Sequence, residues 1–122
     1  MMRLKTLLGF ISISIAFPAF LSGRVDAAEK TIAVCQTARQ TMRIYRLDGK
    51  NYLRAINRRD GIVWMNRTPV STESNPEGTL YTNLRGEQTV KVFVYRNGRD
   101  CSIEIGKKPP ESGKLLPTGS IE

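Results

Sequence analysis

The stretch "RIYRLDGKNYLRAINRRDG", Arg43 to Gly61, sets six positive side chains against two acids and reads Asp-Gly twice. Its first half alternates apolar and polar residues, the period of a strand with one face on a core. Asp-Gly at 48–49 suits a two-residue type I′ turn, in which both central residues take positive φ. The reading is two antiparallel strands, 40–47 and 50–58, whose register the loop fixes. Leu47 then faces Lys50, Tyr45 faces Tyr52, Ile44 faces Leu53, Arg43 faces Arg54 and Met42 faces Ala55. With Asp60-Gly61 as a second two-residue loop, residues 62–66 become the next strand. Ile56 then faces Met65, Asn57 faces Trp64 and Arg54 faces Arg67.

One side of this sheet collects Met42, Ile44, Leu53, Ala55, Ile62 and Trp64 and is expected to be the core. The other collects Arg43, Tyr45, Tyr52, Arg54, Arg58 and Arg67, with Ile56, Val63 and Met65 between them. Two readings of that second face stand side by side. It is the wet side of a small sheet, where Arg and Tyr suit a pleated surface. Or it is a grip for an anionic glycan, a lipid headgroup or an acidic protein, with Arg as bidentate donor. Trp64 likewise reads as a core anchor or as a stacking platform for sugar.

Outward from this stretch the pattern stays β. "KTIAVC" (30–35) precedes it; "TLYTNL" (79–84), "TVKVFVYR" (89–96) and "DCSIEI" (100–105) follow, after a Ser/Thr/Pro-rich loop at 68–78. Asn97-Gly98 is a third hairpin signal. Around it Val94 faces Cys101, Val92 faces Ile103 and Val90 faces Ile105, with Lys91 opposite Glu104 on the other side. Seven short strands with turn signals between them give an all-β fold, a small antiparallel barrel or sandwich. From residue 107 to 122 the composition is that of a disordered tail.

Residues 1–27 read as an export signal. Arg3 and Lys5 lead, "LLGFISISIAF" is uncharged, and Val25 and Ala27 offer the small-residue pattern of a cleavage site. An uncleaved N-terminal anchor is the alternative. The mature product is then one domain, 28–106 plus the tail, exported to the periplasm or secreted, with no transmembrane span. Cys35 and Cys101 are the two cysteines, and in an oxidising compartment they pair. The formal charge is +8, with eight bases and two acids inside residues 39–67, so the excess is local. Local excess points to an anionic partner, and export argues against nucleic acid.

No His is present, so the usual general base and metal ligand are missing. No Gly-rich phosphate loop, nucleophile motif or metal cluster occurs. The expectation is a non-enzymatic binding module without cofactor or metal; a hydrolase built from the scattered carboxylates is the least supported class.

The cysteine and strand pattern, with "EGTLY" (Glu77 to Tyr81) and Arg85-Gly86, resembles the bacterial periplasmic inhibitors of c-type lysozyme. The resemblance implies a small antiparallel barrel and a lysozyme partner. In that family a Ser and a Lys enter the enzyme cleft, and here Glu77 and Arg85 stand at those positions, with Tyr81 completing the motif.

Overall fold

The computed structural model describes residues 28–118. The export segment read at 1–27 lies outside them, as do residues 119–122.

Eight strands form: β1 (Lys30–Gln36), β2 (Gln40–Leu47), β3 (Lys50–Asn57), β4 (Val63–Asn75), β5 (Gly78–Asn83), β6 (Val90–Tyr95), β7 (Asp100–Ile105) and β8 (Glu111–Leu116). They close an antiparallel barrel in chain order, with β8 pairing back onto β1. Closure leaves no strand edge open within it.

The first hairpin has the expected register at every position from Leu47–Lys50 to Met42–Ala55. Asp48 and Gly49 take φ of 53° and 78°, as a type I′ turn requires. The β6–β7 pairing is also as expected, including Val94–Cys101 and Lys91–Glu104. There the turn differs. Asn97 keeps negative φ, only Gly98 is positive, and the Asn97 side chain accepts from the Arg99 and Asp100 amides. A side-chain turn delivers the same register.

The β3–β4 connection corrects the sequence reading. It is a four-residue loop closed by Gly61 N to Asn57 O at 2.8 Å and Asn57 N to Ile62 O at 2.9 Å. Ile56 therefore faces Val63 rather than Met65. β4 then accommodates two extra residues, one either side of Met65, before Leu53 meets Thr68 and Tyr52 meets Pro69. Those last pairs are in the expected frame, so the two bulges undo the shift. The second bulge holds Arg67 at a φ of 51°. β4 also runs on as strand through most of 68–78, expected to be loop, and pairs with β5 from Val70 to Asn75.

The tail reading is corrected as well. Residues 111–116 form β8, between β7 and β1. Proline, lysine and glycine around it suggest disorder by composition. It is held by backbone pairing and by Leu115, which packs against the core, helped by polar ties. Thr37 Oγ1 donates to Glu111 at 2.7 Å, and Lys114 Nζ donates to Asp100 at 2.7 Å.

The core is one cluster including Met42, Ile44, Leu53, Ala55, Val90, Val92 and Ile103, with the Cys35–Cys101 disulfide inside it. That bond joins β1 to β7 under the strand that separates them. Two strand spacings on a flat sheet would be about 9.6 Å; the cysteine Cα atoms are 6.0 Å apart. The sheet folds sharply at β8, where Gly113 faces Cys101. A Cβ on Gly113 would lie 2.6 Å from the Gln36 carbonyl oxygen, so only glycine fits the fold line.

Candidate binding site at one end of the barrel

The six side chains of the expected Arg/Tyr face do not share one open surface. Arg43 and Tyr45 are buried. Arg43 donates through Nη1 to Glu29 at 2.7 Å and through Nε to Thr31 Oγ1 at 2.9 Å, and its guanidinium lies 4.7 Å from the Tyr45 ring centre. Tyr45 stacks on Tyr52 at 5.7 Å between ring centres. Val34, opposite Arg43 on β1, is fully buried too. Burial pushes the Tyr45 phenol above its ordinary value, Glu29 adding to the rise and Arg67 and Arg43 opposing it. Arg54 is half-buried beside Arg43. Arg58 turns to the barrel end and donates to the Thr37 carbonyl at 2.8 Å. Arg67 is exposed at the opening of a cavity.

That cavity, of about 750 Å³, opens at the end of the barrel where β2, β4 and β7 meet the β5–β6 and β7–β8 connections. Trp64, Met65 and Ile105 supply apolar surface; Arg67, Arg85 and Lys108 supply positive charge, set against Asp60 and Glu87 in the same lining. Its size is within the range of small-molecule sites. A second hollow on the same end, of about 640 Å³, is bordered by Arg39, Arg58, Arg59 and Lys108 with no acid among its lining residues.

Trp64 is not in the core. It is 36% exposed, and its indole N–H donates to Gln40 Oε1 at 2.8 Å. Ile62 is 58% exposed, likewise outside the core set expected for it, while Met65, expected outside, packs against the core. One cause serves all three: the longer loop and the first bulge displace the start of β4. Asn-Arg-Arg-Asp-Gly reads equally well as a two- or four-residue connection, so the sequence carries no signal that decides it.

The up-and-down topology puts alternate connections at the same end. Connections 37–39, 58–62, 84–89 and 106–110 carry Arg39, Arg58, Arg59, Arg85, Lys107 and Lys108 against Asp60 and Glu87, a net +4. Those at the opposite end, 48–49, 76–77 and 96–99, carry Arg96 and Arg99 against Asp48 and Glu77, a net of zero. The charge excess is thus polarised along the barrel axis rather than spread on one sheet face.

The three positions taken from the inhibitor resemblance separate. Tyr81 is a core residue whose phenol burial raises above its ordinary value. Glu77 is in the β4–β5 turn and Arg85 in the β5–β6 connection, at opposite ends of β5. Among the described residues no group of three or more Cys, Asp or Glu side chains could hold a metal, and no helix is long and apolar enough to cross a membrane. The buried disulfide is compatible with an oxidising compartment. No family model, curated protein or solved structure matches the chain.

Proposed function

We propose that the protein is an exported, periplasmic or secreted binding module, without catalysis of its own, that takes an anionic ligand at the cationic end of the barrel. The observation that carries this reading is the cavity of about 750 Å³ in which Trp64 stands with Arg67, Arg85 and Lys108. Three cations against two acids, Asp60 and Glu87, around a partly apolar hollow at the end of the barrel with a net +4 in its connections suit a ligand with an anionic group and a flat or hydrocarbon part. The exposed Trp64 offers the stacking surface. Ligands of this chemistry include an anionic glycan, a lipid headgroup or an acidic protein segment.

The test is retention on heparin together with a titration of Trp64 fluorescence. Trp64 is the sole tryptophan, so the signal is local to the cavity. Replacing Arg67, Arg85 and Lys108 together by Gln is expected to abolish salt-sensitive retention and the fluorescence response. Replacing Arg43 and Arg54 is expected to leave both in place. Unchanged retention in the Arg67/Arg85/Lys108 variant overturns the reading.

The closed barrel and its disulfide favour a second reading, inhibition of a c-type lysozyme. Against it, the burial of Tyr81 and the separation of Glu77 from Arg85 leave no single loop surface to enter a cleft. A lysozyme assay with purified protein at micromolar concentration decides between the two.

A further inference from the structure

The described residues expose five large apolar side chains: Ile62, Val63, Trp64, Leu84 and Tyr95. Four of them are at the cationic end. Ile62, Val63 and Trp64 are consecutive, so the alternation that keeps a strand's apolar residues on one side is broken there. Leu84, 62% exposed, donates its amide to the Pro69 carbonyl at 2.8 Å, beside Arg85, and Pro69 and Arg85 both line the cavity. The order Arg58-Arg59-Asp60-Gly61-Ile62-Val63-Trp64 puts two cations, then one acid and a glycine, ahead of the exposed apolar run. Arg39, Lys107 and Lys108 are on neighbouring connections of the same end. Ile62, Val63, Trp64 and Leu84 are exposed at the end that also carries these Arg and Lys side chains, with Asp60 and Glu87 as its acids, and they lie outside the core cluster.

We infer that this end of the barrel docks on an anionic lipid bilayer, with Ile62, Val63 and Leu84 entering the headgroup–acyl boundary and the surrounding cations meeting lipid phosphates. The inference rests on the anion-binding reading of the same end and names its partner. A bilayer suits these residues better than a soluble anion alone because a soluble anion gives Ile62, Val63 and Leu84 nothing to bury against. Tryptophan favours the membrane interface, and the exposed Trp64 directly follows Ile62 and Val63 in the chain. The opposite end, with no net charge in its connections, would face away.

The test uses the purified protein with vesicles of phosphatidylcholine, with and without phosphatidylglycerol. Binding to the phosphatidylglycerol vesicles alone is expected, with a blue shift of Trp64 emission and quenching by lipids brominated on the acyl chain. Arg39→Glu with Arg59→Glu is expected to weaken partition by at least about 30-fold. Ile62→Ser with Val63→Ser is expected to remove the acyl-chain quenching while heparin retention stays. Both pairs are exposed and outside the core cluster; Arg39 also pairs with Glu111 on β8 at 3.4 Å, so circular dichroism checks the fold of each variant. Retention on heparin without binding to the anionic vesicles overturns the bilayer inference and leaves anion binding standing. Failure of both overturns both. Equal binding to neutral and anionic vesicles also overturns the inference, because the cations would then play no part.

Discussion

Gly113 lies directly opposite Cys101 across the β7–β8 pair, at the line where the sheet folds to bring β1 within disulfide reach of β7. A methyl group there meets the Gln36 carbonyl oxygen and the Thr37 side chain. Gly113→Ala is expected to destabilise the protein by about 1–3 kcal/mol, the cost of forcing atoms into a filled site. The adjacent, exposed Ser112→Ala is expected to stay within about 0.5 kcal/mol of the parent. Urea unfolding followed by circular dichroism compares them; equal midpoints would show that the fold line has room to spare.

The disulfide closes a loop with a sequence separation of 66. In the chain-entropy model that constraint on the unfolded state stabilises by up to about 4 kcal/mol. A domain of this size buries limited apolar area, so the loss is felt. Cys35→Ala with Cys101→Ala is expected to lower the denaturation midpoint strongly. The reduced parent should match the double variant closely, since both lack the same cross-link.

Asp100 accepts hydrogen bonds from Lys114 Nζ and from Asn97 Nδ2, both at 2.7 Å. These bonds, with Lys114 first, hold its carboxyl below the ordinary 3.8. A depressed carboxyl contributes stability that is complete above the unfolded value and lost as pH falls through the folded one. The β8 amides are therefore expected to lose protection, measured relative to their intrinsic exchange rates, as pH drops below about 3.8. Asp100→Asn should already show the faster exchange at neutral pH and no further step in that acid window. A carboxyl titration by carbon NMR with its midpoint at or above the ordinary value would remove the basis for this expectation.

Arg67 carries a left-handed backbone, φ 51°, at the opening of the cavity. A non-glycine residue held there costs of the order of 1 kcal/mol. Arg67→Gly is expected to leave stability unchanged or raise it by up to about 1 kcal/mol while weakening anion binding several-fold. The opposite signs separate a residue kept for its side chain from one kept for the turn. Arg67→Gly that loses stability and keeps affinity would show a purely architectural role.

The elements legible from residues alone are those with a short-range code. Asp48-Gly49 dictates one hairpin, and Val90, Val92 and Val94 against Cys101, Ile103 and Ile105 dictate another, because each has a single register that buries one side and pairs charges on the other. β8 was illegible for a physical reason: Glu111, Ser112, Gly113 and Lys114 carry almost no apolar surface, and what holds them is polar ties and backbone pairing, on one side with β1, far away in sequence. The end-of-barrel site was half legible. Arg67, Arg85 and the charge excess of 39–67 can be read off directly. Their meeting point depends on a loop two residues longer than Asp60-Gly61 alone suggests and on the bulges that compensate for it. Those bulges leave no local signature, since Trp64 and Arg67 are ordinary residues for a regular strand.

Besides β2, β1 pairs with β8, the last strand of the described residues, with Val34 opposite Leu116. A chain made from its N-terminus presents the unzipped side of β1 long before β8 emerges. Closure is then the slow, late event that long-range strand pairing imposes. A chain stopped after Gly106 would keep its cysteines but leave β1 and β7 as two bare seams, inviting copies to trade strands and clump.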